Sequence, residues 1–302
     1  MREIKKNGRT VEITNPDKEI FPDAGLSKKD LVNFYERMAE YILPYLKNRP
    51  LVMHRYPNGI SGKDFYQKDQ PDYFPEWIKT VKVKLREEGS RHMVLCNDEA
   101  TLLYLANQAS ITPHVWLSTI KNLENPDRLI FDLDPPKGNF ELVQDGAGDL
   151  KKIFDKLDME AFVMTTGSKG MHVVVPLDGK TDFEESRSFA KKIAAKLADD
   201  MPDKYTTEVR TGNRRGRLFL DYMRNAYGQT GVAPYAIRAR KGAPVATPLD
   251  WSEAVKKDMN AQKYNYKNIF SRLSAKDDPW KNINRHNYSL KTAGKIFDKT
   301  FL

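Results

Sequence analysis

Residues 128–136 read RLIFDLDPP, an apolar run that ends in two acids one residue apart and then in two prolines. Side chains two apart in a strand point to the same face, so Asp132 and Asp134 are predicted to project together, about 7 Å apart. Leu133 is predicted to face the opposite side. The prolines predict the end of the strand and favour an edge of the sheet, where a substrate can reach the acids.

Paired carboxylates of this kind need a positive charge, because two carboxylates at close range repel each other. Hard oxygen ligands favour Mg²⁺ or Mn²⁺. A third acid, Asp221, ends an apolar run in RRGRLFLDYMRN (214–225) and is a candidate third ligand of a two-ion site. The alternatives stay open at this point: a surface acid pair at a strand end, and an ion pair of Asp221 with Arg217 or Arg224.

A glycine-rich segment, TTGSKGMHVVVPL (165–177), follows. Backbone N–H groups in such a turn can bind phosphate oxygens, and Ser168 and Lys169 add a hydroxyl donor and a positive charge. His172 lies just inside the next strand, where it could reach a phosphate. A plain hairpin turn is the alternative, and the spacing excludes a Walker A loop. Further on, Arg238 and Arg240 could neutralise a triphosphate or form a solvated basic edge.

The composition is that of a globular protein with a polyanionic partner. The 302 residues are 40% hydrophobic and carry a net charge of +9, which favours nucleic acid as the partner. The single cysteine, Cys96, excludes a disulfide within the chain and lies in an apolar run, so it is predicted to be a buried thiol. The chain begins without a signal peptide and contains no stretch long enough to span a membrane, which predicts a soluble, cytoplasmic protein.

The pattern of apolar residues predicts helices and strands in an irregular order, which favours an α+β fold over a doubly wound parallel sheet. The predicted helices cover residues 27–46, 98–108, 140–157 and 183–200, with further helices after Trp251. The predicted strands cover residues 51–56, 79–86, 91–96, 115–119, 128–134, 161–165, 171–176, 217–222 and 234–237.

Several motifs in a fixed order resemble one known family. DLDPP, TTGSKGMHVVVPL, FLDYMRN and IRARKGAPVATPLDW occur in that order, together with TNPDKEIFP, KDFYQKDQPDYFPEWI and NQASITPHVWLS. The set resembles the polymerase domain of bacterial and archaeal non-homologous end-joining ligase D, in the archaeo-eukaryotic primase superfamily. It implies an α+β primase-type catalytic module, with mixed and antiparallel sheets flanked by helices and a central active-site cleft. It also implies one polymerase domain over 1–302, with a DNA-binding portion at 1–120 and a catalytic portion at 121–302.

The resemblance implies a role for each matching residue. The catalytic, metal-binding acids would be Asp132, Asp134 and Asp221. The nucleotide-binding residues would be Ser168, Lys169, His172, Arg238 and Arg240. The residues that bind the 5′-phosphate of a downstream DNA strand would be Asn15, Lys18 and Lys28. The template-stacking pair would be Phe65 and Tyr66. Arg224 lies where some relatives have glutamine, and His114 matches another position near the active site.

The activity implied by the resemblance is template-directed nucleotidyl transfer that favours ribonucleotides, fills gaps and extends 3′ ends during double-strand break repair. Two Mn²⁺ or Mg²⁺ ions and NTP or dNTP substrates would take part. The implied partners are DNA ends, gapped duplexes with a 5′-phosphate, a Ku-like end-binding protein and a DNA ligase, with no membrane and a nucleoid location. A metal-dependent nuclease or phosphodiesterase and a non-catalytic end-binding scaffold are the alternatives. Arg238 and Arg240 argue against a nuclease, which needs no triphosphate clamp.

Overall fold

The computed structural model describes residues 2–136 and 138–301, and the chain divides into two compact units. The first unit comprises Met1–Lys121, Thr230–Ala246 and Tyr264–Arg272, and the second comprises Asn122–Gln229, Thr247–Lys263 and Leu273–Leu302. The sequence predicted two continuous portions that meet at 120/121. In the structure, the later segments Thr230–Ala246 and Tyr264–Arg272 also belong to the first unit. The DNA-binding and catalytic roles of the two portions stay predictions.

The strands and helices are numbered in chain order. The strands are β1 (Arg2–Lys6), β2 (Arg9–Ile13), β3 (Glu19–Phe21), β4 (Leu26–Ser27), β5 (Pro50–Arg55), β6 (Phe65–Gln67), β7 (Thr80–Lys84), β8 (Ser90–Leu95), β9 (Ser110–Trp116), β10 (Arg128–Asp134), β11 (Phe162–Thr165), β12 (Met171–Pro176), β13 (Tyr205–Thr206), β14 (Leu218–Asp221), β15 (Thr230–Val232) and β16 (Thr247–Leu249). The helices are α1 (Lys28–Leu46), α2 (Glu99–Asn107), α3 (Glu141–Lys156), α4 (Phe183–Asp200), α5 (Trp251–Ala254), α6 (Ile269–Ala275) and α7 (Leu290–Phe301). In the described part of the chain, none of the helices is long and apolar enough to cross a bilayer.

The first unit is built on an antiparallel sheet with the strand order β15-β9-β5-β8-β7, and β6 pairs with β5. The predicted hairpin of β7 and β8 is confirmed. Helix α1 also forms as predicted, because Ser27 and Asp30 make a reciprocal capping box and an apolar stripe faces the core. Tyr35 of this stripe is fully buried, and its hydroxyl donates a hydrogen bond of 2.5 Å to the carbonyl oxygen of Ile111.

Two strand predictions in the first unit were wrong. Strand β9 runs from Ser110 to Trp116 rather than over 115–119, because its buried polar residues are satisfied by tertiary hydrogen bonds that the apolar pattern does not reveal. Thr112, for example, donates a hydrogen bond of 2.8 Å to the carbonyl oxygen of Ile237. The predicted strand at 234–237 is a turn, because Tyr235 has a φ of 64°, which interrupts extended backbone.

The second unit is built on a six-stranded sheet with the order β13-β14-β10-β12-β11-β16. Every pairing in it is antiparallel except that of β13 with β14. The expected mixture of helices with antiparallel sheets is therefore confirmed. Strand β10 lies between β14 and β12, so the expected position at an edge of the sheet was wrong. The two acids instead lie at the C-terminal end of an interior strand, and Leu133 between them is fully buried.

A close approach of backbones explains the second glycine of the glycine-rich turn. A Cβ atom at Gly170 would lie 1.7 Å from the carbonyl oxygen of Leu133, so only glycine fits there. The first glycine of the turn, Gly167, has a φ of 65°. The turn is thus pressed against the strand that carries Asp132 and Asp134.

We predict that Gly170→Ala lowers the free energy of unfolding by about 3 kcal/mol, because the added methyl group forces β12 away from β10. Chemical denaturation of the purified protein measures this change. Gly148→Ala is the matched control, since Gly148 lies in α3 and a Cβ there has no heavy atom within 4 Å. The control is expected to be neutral or stabilising by up to about 1 kcal/mol. Equal stability of the two variants would contradict the close-approach interpretation.

Candidate active site

The register of the second unit's sheet brings the three predicted acids together. Asp132 of β10 is the direct partner of Asp221 of β14, and Asp134 is the partner of Phe219. Directly opposed residues project to the same face of a sheet, as do residues two apart. The side chains of Asp132 and Asp221 are 21% and 17% exposed, and that of Asp134 is 43% exposed. Sequence alone predicted the first pair of acids but not that Asp221 would face Asp132.

Arginine side chains compensate these carboxylates. The Nε atom of Arg224 lies 3.3 Å from Oδ2 of Asp132 and 3.6 Å from Oδ2 of Asp221. Nη1 of Arg214 lies 2.7 Å from Oδ2 of Asp134. The pairing of Asp221 with Arg224, one of the alternatives raised by the sequence, is therefore present. Arg217, the other candidate partner, donates its hydrogen bonds to backbone carbonyl groups.

The environment of Asp221 disfavours the charged form of its carboxyl group. Burial raises the pKa of this carboxyl above its usual value, and the negative charge of Asp132 raises it further. The backbone N–H of Met223, at 2.8 Å, and the charge of Arg224 act in the opposite direction. Since the pKa is raised on balance, the local cations do not fully offset burial and repulsion.

The carboxylates of Asp132, Asp134 and Asp221 are suitable ligands for a hard divalent ion, although in this structure they contact arginine side chains. Within residues 2–136 and 138–301, no group of three or more His, Cys, Asp or Glu side chains is positioned to hold a metal ion. The carboxylate of Asp134 contacts Arg214 instead. Asp132 and Asp221 nevertheless offer two opposed carboxylates, which are the ligands that Mg²⁺ and Mn²⁺ prefer. The assignment of all three acids as ligands stays a prediction.

His172 flanks Asp132 on the side away from Asp221. It is the register partner of Asp132 on β12, and its Nε2 atom lies 3.5 Å from Oδ1 of that carboxylate. The residue is only 4% exposed, and its Nδ1 atom has no hydrogen-bond partner among the described residues. His172 therefore lies where it can orient Asp132. A direct contact of its ring with a nucleotide stays a prediction.

The turn between β11 and β12 has a fixed conformation. The Oγ1 atom of Thr166 accepts hydrogen bonds of 3.3 Å from the backbone N–H groups of Ser168 and Gly170. The side chain of Gln262 donates to the carbonyl oxygen of Ser168 at 3.0 Å, and Lys169 is exposed. This turn lines a cleft of about 830 Å³ that also reaches Asp134. The other polar residues around the cleft are Asn139, Thr211, Arg214, Arg217 and Asn260.

In the first unit, two lysines lie together at the start of a long helix. Lys28 is the first residue of α1 and is only 7% exposed, with its Nζ atom 3.4 Å from Oγ1 of Thr14. Its backbone N–H donates to the carbonyl oxygen of Lys18, and the N–H of Lys18 donates to that of Asn15. Burial lowers the pKa of Lys28, and the positive charge of Lys18 lowers it further. The Nζ atom of Lys18 donates to Oδ1 of Asn58 at 3.1 Å. Two lysines whose charges interact near a helix N-terminus are suited to bind an anion such as phosphate.

The predicted aromatic pair is exposed on the short strand β6. Phe65 is 45% exposed and Tyr66 is 53% exposed. His54 stacks on Tyr66 with ring centroids 3.9 Å apart and an interplanar angle of 15°. The Nε2 atom of His54 lies 2.5 Å from Oδ2 of Asp64. This arrangement fixes the orientation of an exposed ring that is suited to stack on a nucleobase.

Sequence reasoning missed three residues of this surface: His54, Arg55 and Asp64. The guanidinium of Arg55 lies 5.5 Å from the centre of the Phe65 ring and donates to the hydroxyl of Tyr73 at 2.7 Å. The available signal was the pair of basic residues that ends the otherwise apolar run 50–55. Their partners on β6 follow only from the strand register, which the sequence does not display.

The two predicted triphosphate-binding arginines lie in the same unit as this surface. Burial is the main cause of the lowered pKa of His54, while Asp64 opposes it. The positive charges of Arg238 and Arg240 lower this pKa to a smaller extent. His114, another position singled out by the sequence, contacts Tyr66 edge-on with centroids 5.6 Å apart.

Comparisons with known proteins agree on one family. Residues 27–280 match the family described as LigD, primase-polymerase domain. The chain is 34% identical over 245 residues to the bifunctional non-homologous end joining protein LigD of Bacillus subtilis. It is also 34% identical over 273 residues to the multifunctional non-homologous end joining protein LigD of Pseudomonas aeruginosa. These alignments cover 80% and 89% of this chain, and the chain spans 39% and 32% of the length of the two relatives.

A solved structure gives the same result. It is the polymerase domain of Mycobacterium tuberculosis ligase D in complex with DNA, which matches with a TM-score of 0.87 and 27% sequence identity. The match covers 92% of this chain and 99% of that chain. The primase-type α+β fold expected from the sequence is therefore confirmed.

We predict that Lys28→Met raises the melting temperature at pH 7, because it removes a buried ammonium group and keeps an apolar side chain. The pKa of Lys28 is lowered in the folded state, so the unfolded chain binds more protons between that pKa and 10.5. Wild-type stability should therefore recover as the pH rises through this window, and the advantage of the variant should shrink.

Thermal denaturation between pH 7 and pH 10 measures this difference, with Lys29→Met as the matched control. Lys29 is more exposed than Lys28 and lies 3.9 Å from Asp17, so its replacement should leave the melting temperature within about 1 °C of wild type. A lower melting temperature for Lys28→Met than for wild type at every pH would rule out an electrostatic cost at this position.

Proposed function

Because the chain belongs to the family of LigD primase-polymerase domains, we propose that it transfers nucleotidyl groups to the 3′ end of a DNA strand under the direction of a template. The observation that carries this proposal is the pairing of Asp132 with Asp221 across β10 and β14, with Asp134 on the same face. Phosphoryl transfer needs little beyond positioning and the neutralisation of charge, and clustered carboxylates recruit the ions that do both.

Asp132, Asp134 and Asp221 would hold two Mg²⁺ or Mn²⁺ ions. When bound, such ions lower the pKa of the primer 3′-hydroxyl and neutralise the triphosphate and its leaving group. His172 would keep Asp132 oriented through the contact of 3.5 Å between Nε2 and Oδ1. Asp134 becomes available as a ligand only when its contact with Arg214 is released or shared, so that guanidinium is part of the site.

The anionic parts of the substrates require cations and hydrogen-bond donors. The exposed ammonium group of Lys169 and the hydroxyl of Ser168 lie in the turn that approaches β10, and we infer that they bind the incoming nucleotide. Arg238 and Arg240 are proposed to bind a triphosphate, as the family resemblance implies. A preference for ribonucleotides requires a polar group near the sugar, and Ser168 is the candidate.

Template recognition would rest on stacking rather than on reading the base. Phe65 and Tyr66 present exposed rings, and base stacking on an aromatic side chain contributes about 1–3 kcal/mol per base for any base. The net charge of +9 and the exposed lysines predict that DNA binding weakens steeply as the salt concentration rises. The enzyme should therefore respond to the structure of a DNA end more than to its sequence.

We further propose that Lys18, Lys28 and Asn15 bind the 5′-phosphate on the downstream side of a gap. A buried lysine next to a second lysine is unfavourable without an anion, and a phosphate at this helix N-terminus supplies one. This pocket favours gap filling in double-strand break repair, and with it a nucleoid location. A Ku-like end-binding protein and a DNA ligase are the partners that we propose from the family resemblance.

Extension of a recessed duplex in the presence of Mn²⁺ and labelled nucleotide tests the proposed activity. We predict that Asp132→Asn and Asp134→Asn each lower the rate of extension by more than about 100-fold, because a carboxylate ligand is lost while DNA binding persists. Asp203→Asn, which neutralises an exposed acid of the same unit, is the matched control and should keep full activity. A shortened primer would identify a nuclease instead, and binding without either reaction would identify a scaffold.

A second experiment tests the phosphate pocket. Wild-type protein should extend a primer at a gap with a 5′-phosphate roughly tenfold better than at the same gap without it, since a charge-assisted contact contributes about 1.5–3 kcal/mol. Lys18→Ala is expected to lose this preference, whereas Lys29→Ala should retain it because Lys29 faces Asp17. If Lys18→Ala still distinguished the two gaps as the wild type does, the pocket would lie elsewhere.

A further inference from the structure

Arg224 is a charged residue of the acid cluster, and the family resemblance assigns it no role. We propose that Arg224 is a tethered counter-ion for Asp132 and Asp221 that a divalent cation must displace, so that this arginine sets the cation concentration at which the acids become occupied. The inference rests on the proposed function, in that it takes Asp132 and Asp221 as cation ligands.

The guanidinium lies against one carboxylate oxygen of each of the two acids. Its Nε atom is 3.3 Å from Oδ2 of Asp132 and 3.6 Å from Oδ2 of Asp221. Charge-assisted hydrogen bonds between nitrogen and oxygen are usually about 2.7–2.9 Å long, so both contacts are looser than the optimum. One positive charge is thus shared between two carboxylates without a tight bond to either. A divalent ion offers twice the charge at shorter range and should replace it.

The backbone that carries Arg224 is fixed, so displacement requires only a side-chain movement. The neighbouring Asn225 is 1% exposed, and its amide donates to the carbonyl oxygen of Ile130 at 2.7 Å and accepts from the Ile130 N–H at 2.8 Å. On the other side, the N–H of Met223 donates to Oδ1 of Asp221. These bonds hold the single helical turn Met223–Asn225 beside β10, while the side chain of Arg224 is 42% exposed.

Arg214, which contacts Asp134, is less exposed than Arg224 and has additional partners. Its side chain is 14% exposed, and its guanidinium lies 4.0 Å from the centre of the Phe219 ring. It also donates to the carbonyl oxygens of Glu208 and Val209, at 3.2 Å and 3.0 Å. Arg214 therefore has further partners that hold it in place, whereas the half-exposed Arg224 is the guanidinium that can leave at low cost. A glutamine at position 224 would have the same reach but no charge to displace.

Titration of the full chain with Mn²⁺, without nucleotide or DNA, tests this inference through the electron paramagnetic resonance signal of free Mn²⁺. Arg224→Gln is expected to bind Mn²⁺ on the order of tenfold more tightly than wild type, since an opposite charge at this range shifts carboxylate equilibria by about one pKa unit or more. Arg224→Lys keeps the charge and should stay near the wild-type affinity. Arg215→Gln, which removes an exposed charge from the same unit, is the control for long-range electrostatics and should change the affinity less than twofold.

A second readout is independent of the binding signal. Without the guanidinium the two carboxylates repel each other, so Arg224→Gln should melt at a lower temperature than wild type in metal-free buffer and should gain more from added Mn²⁺. Affinity that is unchanged or weaker in Arg224→Gln, or an equal gain in Arg215→Gln, overturns the inference, as does the absence of detectable binding in wild type and Arg224→Gln alike.

The metal assignment and the displacement of Arg224 are contradicted by different outcomes. Asp132→Asn should abolish the Mn²⁺ binding measured in this titration. If binding survives Asp132→Asn, the metal assignment of the proposed function is wrong. If Asp132→Asn abolishes binding but Arg224→Gln behaves like wild type, the acids are the ligands and only the displacement by Arg224 is wrong.

Discussion

The repulsion between Asp132 and Asp221 is the constraint around which the second unit is organised. The pairing of β10 with β14 forces the two carboxylates to face each other on one side of the sheet, where both are mostly buried. Apolar neighbours cannot offset two negative charges, so the surrounding side chains supply positive charge. The position of Arg224 beside both acids follows from this constraint. Burial is the main cause of the raised pKa of Asp221, and the charge of Asp132 raises it further. The sheet holds the acids close at a cost in stability that a cation can recover.

The same principle operates at the start of helix α1, with the opposite sign. Lys28 is buried beside Lys18, and the lowered pKa of its ammonium group reports that the charged form is disfavoured there. In each unit, then, like charges are held together by a rigid element: a strand pairing in one, a capped helix in the other. The fold tolerates the buried charge at the start of α1 because the capping box at Ser27 and the apolar stripe of the helix form independently of that charge.

Rigid support also explains the residues that the motifs do not mark. Tyr66 is exposed on a three-residue strand, and its ring stacks on the ring of His54. His54 is in turn hydrogen-bonded to Asp64. Gly170 is required by its approach to Leu133, a packing demand rather than a need for phosphate binding at that residue. A motif such as GSKG therefore combines two functions. Its glycine fits the turn against β10, and its serine and lysine face the cleft.

The sequence by itself determined the local elements. Helices α1 to α4, the hairpins and β10 follow from apolar periodicity, caps and turn residues, which are patterns among residues only a few positions apart. It also determined that Asp132 and Asp134 share a face, because this follows from the geometry of a single strand. Only the tertiary structure decided that Asp221 opposes Asp132, that Arg224 rather than Arg217 approaches it, and that β10 is interior. Strand register and strand order depend on contacts between segments about 90 residues apart in the chain, which no local pattern encodes. The extent of β9 was predicted wrongly for the same reason, since Thr112 bonds to the distant backbone of Ile237. The strand at 234–237 was predicted wrongly because the apolar pattern does not reveal the positive φ of Tyr235.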